Sequence, residues 1–220
     1  MFFYKRLLAY NIPMLSYEKK IEEFIFNDIR YFKNLNILEF GVRFGQSTRK
    51  FIDLVEKNGG HVYSVDIDDC SNISNSKQWS FIKSRDDDFK YIEEKIPDTF
   101  DIIYFDSFHD AKHMKKIFYH YFNKLKVGGL YIIDDISHLP YLKKKERNSF
   151  NCEINNHETF LKILDILNSN SEIIKVYFSF VDSGLAKIKK CSQSKLISPE
   201  KINSRVFSIK NILRKILYNK

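Results

Sequence analysis

Apolar positions follow two rhythms along this chain. Over residues 37–40 and 100–105 nearly every position is apolar, the mark of parallel strands covered on both faces. Elsewhere the period lengthens to that of a helix. Ile21, Phe24, Ile25, Ile29 and Phe32 form one stripe, with Glu22, Glu23, Asp28 and Arg30 opposite. Phe51, Leu54 and Val55 form a second, and Met114, Ile117, Phe118, Tyr121, Phe122 and Leu125 a third. Taken in order, the pattern predicts a helix over 17–32, a strand over 37–40, and a helix over 47–57 stopped by Asn58-Gly59-Gly60. Strands over 61–66 and 78–83 follow, then a helix running to Ile96 and the strand over 100–105. A long helix ends at a Lys126-Val127-Gly128-Gly129 turn before a strand over 130–133. Residues 158–167 return to helical spacing. A hairpin over 172–180 and 185–190, turning through Val181-Asp182-Ser183-Gly184, closes the fold.

Composition narrows the class without changing this picture. The 220 residues are 44% apolar and 15% aromatic, enough for one domain with a full core. Cys70, Cys152 and Cys191 lie far apart in no metal-ligand spacing, which argues against a disulfide framework or a zinc site. The first residues lack a long apolar region and a cleavage site, and no run approaches the roughly eighteen apolar residues of a membrane span. The expectation is a cytoplasmic protein.

The chemistry is organised around Glu39-Phe40-Gly41-Val42-Arg43-Phe44-Gly45-Gln46-Ser47. A strand breaks at Gly41 into a turn, and Gly45 closes the turn before a helix near Ser47, whose first N–H groups lack partners within the helix. The next strand ends in Asp66, at the distance where a ribose-binding carboxylate is expected in a doubly wound fold. No third glycine completes a G-x-G-x-x-G, so a diphosphate would be poorly held.

At this loop the sequence resembles the class I S-adenosylmethionine-dependent methyltransferases, whose first motif is an acid, a glycine, three residues and a glycine. The resemblance covers roughly residues 20–190. It implies an α/β, doubly wound, Rossmann-like sheet of seven mostly parallel strands with a last antiparallel strand and helices on both faces. Residues 1–198 would form this domain, with 137–156 a lid-like irregular insertion and 199–220 a separate tail. Glu39, Gly41, Gly45, Ser47 and Asp66 would bind S-adenosylmethionine, with Ser84, Asp86 and Asp106 completing its site.

Asp106 ends one nearly all-apolar strand and the pair Asp134-Asp135 ends its neighbour, so adjacency about 5 Å apart gathers three carboxylates in the ligand crevice. Three such acids repel without a cation, and an oxygen-only set suits Mg²⁺, Mn²⁺ or Ca²⁺. The arrangement is similar to that of metal-dependent O-methyltransferases of sugars and small molecules. It implies Asp106, Asp134 and Asp135 as metal ligands. His109, three residues beyond Asp106, is the candidate general base, and His138 a second one. His113 and His120, among lysines at helical spacing, read as a solvated face.

The function expected is therefore metal-assisted methylation of a hydroxyl on a sugar, glycan or small polyol. The alternatives are a membrane-docked binding module without turnover, or an RNA or protein methyltransferase, though no Asn-Pro-Pro-Tyr-like motif for an amine acceptor is present. Charge discriminates among partners. Residues 195–220 carry +6 of the formal +8, and the nearly balanced remainder argues against nucleic acid. In the tail Ile202, Val206, Ile209, Leu213, Ile216 and Leu217 recur at helical spacing among basic residues. That pattern fits a helix lying peripherally on an anionic inner membrane surface, or one packed on the domain or in a homo-oligomer.

Overall fold

The computed structural model describes residues 17, 19–137, 150–202 and 209–218. Helix α1 covers residues 19–29 and contains a π turn, Glu22–Phe26, followed by an α turn, Asn27–Ile29. Strand β1 (Leu35–Phe40), helix α2 (Gln46–Asn58), β2 (Gly60–Asp66) and β3 (Trp79–Lys83) follow. A short helix α3 (Phe89–Glu93) leads to β4 (Phe100–Phe105), α4 (Ala111–Tyr121) and a 3-10 turn, Phe122–Lys124. Strand β5 (Leu125–Asp134), α5 (Phe150–Ser169), β6 (Ile174–Ser179), β7 (Leu185–Lys190) and α6 (Ile209–Tyr218) complete the described elements.

The strands form one sheet in the order β3-β2-β1-β4-β5-β7-β6. The first five are mutually parallel, and β7 runs antiparallel to both β5 and β6. Period-two alternation assigns each central strand's residues to two helix layers. Ile37, Ile102 and Ile132 face α1 and α2, packing with Ile21, Ile25, Ile29, Phe51 and Val55. Leu38, Ile103 and Ile133 face α4 and α5, packing with Met114, Ile117, Phe118, Ile163 and Ile166. Each such aliphatic side chain contributes about 1.5–3 kcal/mol on burial, which is why the nearly all-apolar runs specify the middle of the sheet.

Three expectations shift. The Lys126–Gly129 stretch is not a turn but the start of β5, accommodated by a register irregularity opposite Phe100 and Ile102. The helix expected up to Ile96 is only Phe89–Glu93: Asp86, bonded across to Ser107, lies before it, and Pro97 disfavours helical backbone at Ile96. Within the expected irregular insertion, residues 138–149 lie outside the described residues, and from Phe150 onward the chain is helical. Ile154 on that first stretch is exposed, and the next buried residues, Asn156 and Thr159, are polar, so the sequence shows no apolar helical period there. His138 also lies outside the described residues.

Polar bonds attach the segment after β7 to α5 as far as Ile202, whose N–H donates to Asp165. Beyond it, α6 leaves Ile209, Leu213, Ile216 and Leu217 exposed. Among the described residues no helix is long and apolar enough to cross a membrane.

Candidate functional site

The loop after β1 is held by its neighbours on every side. Gly41 has φ +92°, and a Cβ there would lie 2.0 Å from the carbonyl oxygen of Asp106. Gly45, at φ +71°, would place a Cβ 2.5 Å from the Ile73 side chain. Both glycines are thus required by backbone shape and chain packing, and Gly41 serves to press the loop against the end of β4. That close approach puts Asp106 beside the loop.

Glu39 and Ser47, expected to touch the cofactor, lie buried beneath the loop instead. Ser47 Oγ donates to Glu39 Oε1 at 2.6 Å, while Thr48 and Ser64 donate to Oε2 at 2.8 and 2.7 Å. Trp79 Nε1 donates to Ser64 Oγ at 3.0 Å, extending the network to β3. Burial pushes the Glu39 carboxyl up to about 7, although the three hydroxyl donors work in the opposite direction. Glu39 therefore fastens β1, β2 and the first turn of α2 together. A carboxylate in an apolar strand, followed by Ser-Thr in the first turn of the next helix, is the sequence trace of this knot.

Asp66 lies where the resemblance puts a ribose-binding acid, and it also organises the loop. Its Oδ2 accepts the Val42 and Arg43 amides at 2.7 and 3.0 Å, and Oδ1 accepts the Asp68 amide at 2.9 Å. A carboxylate has about four lone-pair sites, so capacity remains for a hydroxyl. Next to it Ile67 is exposed, and Phe44 and Phe108 stand exposed after β1 and β4. An acid with free lone pairs beside apolar side chains at a crevice rim suits an adenosine, a ribose attached to a flat apolar base. Ile67 was not distinguished by periodicity, and its signal is its position directly after Asp66.

The β3 end differs from expectation. Ser84 Oγ donates to the Arg85 carbonyl at 3.1 Å. Asp86 accepts Ser107 Oγ at 2.5 Å and pairs with His113 Nε2 at 2.9 Å, so it ties β3 to the β4–α4 loop and to α4. His113 is consequently not on a solvated face. His120 likewise pairs with Glu93 at 2.9 Å and stacks on Phe89 with ring centroids 3.6 Å apart. These two histidines join α4 to the β3–α3 region.

At the ends of β4 and β5 the three expected acids do converge. His109 Nε2 lies 3.5 Å from Asp106 Oδ1 and 3.3 Å from Asp135 Oδ2. Asp135 takes a left-handed conformation, φ 60°, which turns the chain out of β5 and aims this carboxylate at His109. Burial and the neighbouring Asp134 charge raise Asp135, and burial with the charges of Asp134 and Asp135 raises Asp106 well above the usual carboxylate range.

Asp134 departs from the expected metal role. It is buried, and its Oδ1 accepts Lys20 Nζ at 2.5 Å and the Asp135 amide at 2.7 Å. Its Oδ2 accepts the Tyr104 hydroxyl at 3.0 Å. Lys20 Nζ also donates to Ser183 Oγ at 2.8 Å. Tyr17 OH donates to Asp106 Oδ2 at 3.4 Å. Burial, then the nearby Asp106 and Asp134 charges, keep the Tyr17 and Tyr104 hydroxyls protonated as donors. The donor set therefore does not fit a cage of three free carboxylates around a divalent ion, and no group of three or more His, Cys, Asp or Glu side chains poised to hold a metal occurs among the described residues. Tyr17, Lys20, Tyr104 and Ser183 were not read as site residues. Parity supplies the signal for Asp134, which follows Ile132 toward the α1 layer.

These features define a class: an open, mostly parallel α/β sheet with a glycine loop after β1, an acid at the end of β2 and a histidine between two carboxylates at the ends of β4 and β5. Residues 38–136 match the family described as a methyltransferase domain. Among solved structures, the chain is similar to the MycE methyltransferase of the mycinamycin biosynthetic pathway, solved with Mg, SAH and mycinamycin VI, at 22% identity and a TM-score of 0.55. That match covers 79% of this chain and 49% of the other, so the chain spans about half the length of MycE. A putative caffeoyl-CoA O-methyltransferase from Staphylococcus aureus aligns at 22% identity and a TM-score of 0.55, covering 71% of this chain and 76% of that one. The SAH-bound methyltransferase PaMTH1 of Podospora anserina aligns at 14% identity and a TM-score of 0.57, covering 86% and 95%. No curated protein matches the sequence. The match over residues 38–136 and the shared fold place this sheet among methyltransferase-type α/β architectures.

Proposed function

We propose that the chain transfers the methyl group of S-adenosylmethionine to a hydroxyl oxygen of a sugar, glycan or small polyol. The observation carrying this reading is the placement of His109 between Asp106 and Asp135 at the strand ends, beside the loop that Gly41 presses against Asp106. The cofactor supplies an electrophilic methyl on a sulfonium. Asp66 would accept the ribose hydroxyls, and Ile67 would lie against the base.

Oxygen becomes a competent nucleophile as its proton leaves, which calls for a base within hydrogen-bond reach. The carboxylates facing His109 Nε2 favour the tautomer with hydrogen on that nitrogen, leaving Nδ1 to accept the acceptor's proton. They also supply counter-charge for the imidazolium that results. Asp135, fixed by its own backbone N–H on Asp134, orients the ring.

Metal assistance is the second reading, favoured by the Mg of the MycE structure and opposed by Lys20 on Asp134. Non-catalytic binding on the same fold, and methylation of RNA or protein, are further outcomes to be separated. The deciding experiment supplies S-adenosylmethionine labelled with ¹³C at the methyl and a panel of polyhydroxy acceptors, with NMR detection of the product. A new methyl ether signal supports the proposal. Cofactor binding with no transfer to any hydroxyl, or an N-methyl product from an amine acceptor, overturns it.

A further inference from the structure

Asp106, Asp134 and Asp135 end neighbouring strands, and carboxylates so placed repel each other unless a positive charge stands among them. A side chain of this chain already supplies that charge. Lys20 is fully buried, with its Nζ 2.5 Å from Asp134 Oδ1, and Asp134 is only 2% exposed. The ammonium is fixed from one further element, because Ser183 Oγ in the β6–β7 turn accepts from it at 2.8 Å and also bonds Asp135.

We propose that Lys20 is the resident cation of this site: it holds on Asp134 the position a divalent ion would need, so the carboxylate cluster is assembled without metal. The proposal rests on the contacts around Asp134. A Mg²⁺-type ion binds carboxylate oxygen at about 2.1 Å. Asp134 Oδ1 already accepts two donors, Lys20 Nζ and the Asp135 amide, and Oδ2 accepts the Tyr104 hydroxyl. A dication on Oδ1 would share that oxygen with an ammonium and be repelled by it, and one on Oδ2 would have to fit beside the Tyr104 hydroxyl. The imidazole nearby, His109, faces Asp106 and Asp135 rather than Asp134, so the roles divide. Lys20 neutralises the inner carboxylate, and His109 works against the two outer ones.

A buried ammonium is retained only where it is paired and hydrogen-bonded. Helix α1 meets that condition by placing Lys20 on its buried face, one turn after Tyr17, which itself donates to Asp106. The N-terminal helix thereby becomes part of the site, as the element that delivers its cation.

The test is Mn²⁺ titration followed by electron paramagnetic resonance, which requires no turnover and so leaves the methyl-transfer reading to its own experiment. Wild type is expected to show no Mn²⁺ site below millimolar concentration. Lys20→Met should gain Mn²⁺ affinity by at least tenfold, and Lys20→Met combined with Asp134→Asn should lose that gain. Wild-type binding that Asp134→Asn removes would overturn the proposal, as would a folded Lys20→Met chain with no gain. If Lys20→Met does not fold, the wild-type titration alone decides, with an Asp134-dependent site counting against the proposal and its absence for it.

Discussion

Asp66 accepts the Val42 amide at 2.7 Å, so the acid at the end of one strand fixes the loop that leaves another. Removing that carboxylate should cost both the ribose contact and the loop's shape. A charge-assisted hydrogen bond is worth about 1.5–3 kcal/mol, so Asp66→Ala is expected to weaken S-adenosylmethionine binding at least about tenfold. Calorimetry is the measurement, and an unchanged affinity would remove Asp66 from the cofactor site.

His109→Ala should lower turnover by roughly 10² to 10⁴ while leaving cofactor affinity near wild type, the profile expected for loss of a general base. Stopped-time assays beside the same calorimetry separate the two quantities. Normal turnover in this variant would hand the proton to another group.

The Glu39 knot makes a pH prediction with a definite sign. In the folded chain its carboxyl holds a proton up to about 7, against an ordinary value of 4.5. Between those limits the unfolded chain has released a proton that the folded chain keeps, so stability falls as pH rises and levels off above the folded value. The contribution is on the order of 3 kcal/mol as an upper bound. Glu39→Gln removes this titration but leaves Asp106 and Asp135 in place. Wild type should therefore lose denaturant resistance relative to the variant from pH 4.5 to 7. Parallel curves for the two proteins would show that Glu39 does not titrate there.

On α6 the exposed Ile209, Leu213, Ile216 and Leu217 follow helical spacing in a strongly basic tail. Basic residues add about 1 kcal/mol each at an anionic surface. Flotation with anionic vesicles at low salt should carry the full chain, and a chain ending at Ile202 should remain behind. If neither floats, the apolar face belongs to protein contact, and sedimentation of the full chain against the shortened one would then show an oligomer.

Strands and helices were legible wherever burial left a period: Ile37–Phe40 and Phe100–Phe105 are apolar but for Glu39 and Asp101 because helices cover both faces. The glycine loop and the three acids were legible as well, since strand ends gather whatever follows them. What each acid does was not, because its partners are remote in sequence. Glu39 reaches Ser64, 25 residues on, and Asp134 reaches Lys20, 114 residues back. A lysine in an amphipathic helix ordinarily reads as solvated. Only the parity of β5, which sends Asp134 to the same side as Ile132, pointed toward α1.

The Lys20–Ser183 bond joins residues 163 apart, near the two ends of the sheet's own sequence. Pairings so distant form late in folding, since a long loop must close before they repay its entropy. Helix α1 precedes the strands in the chain, but its Lys20 gains the Ser183 partner only when the β6–β7 hairpin docks. The same bond is a point of early failure. Local opening of α1 would expose Asp134 and dismantle the acid cluster while the seven strands stay paired, so the chain should lose its chemistry on warming before it loses its fold.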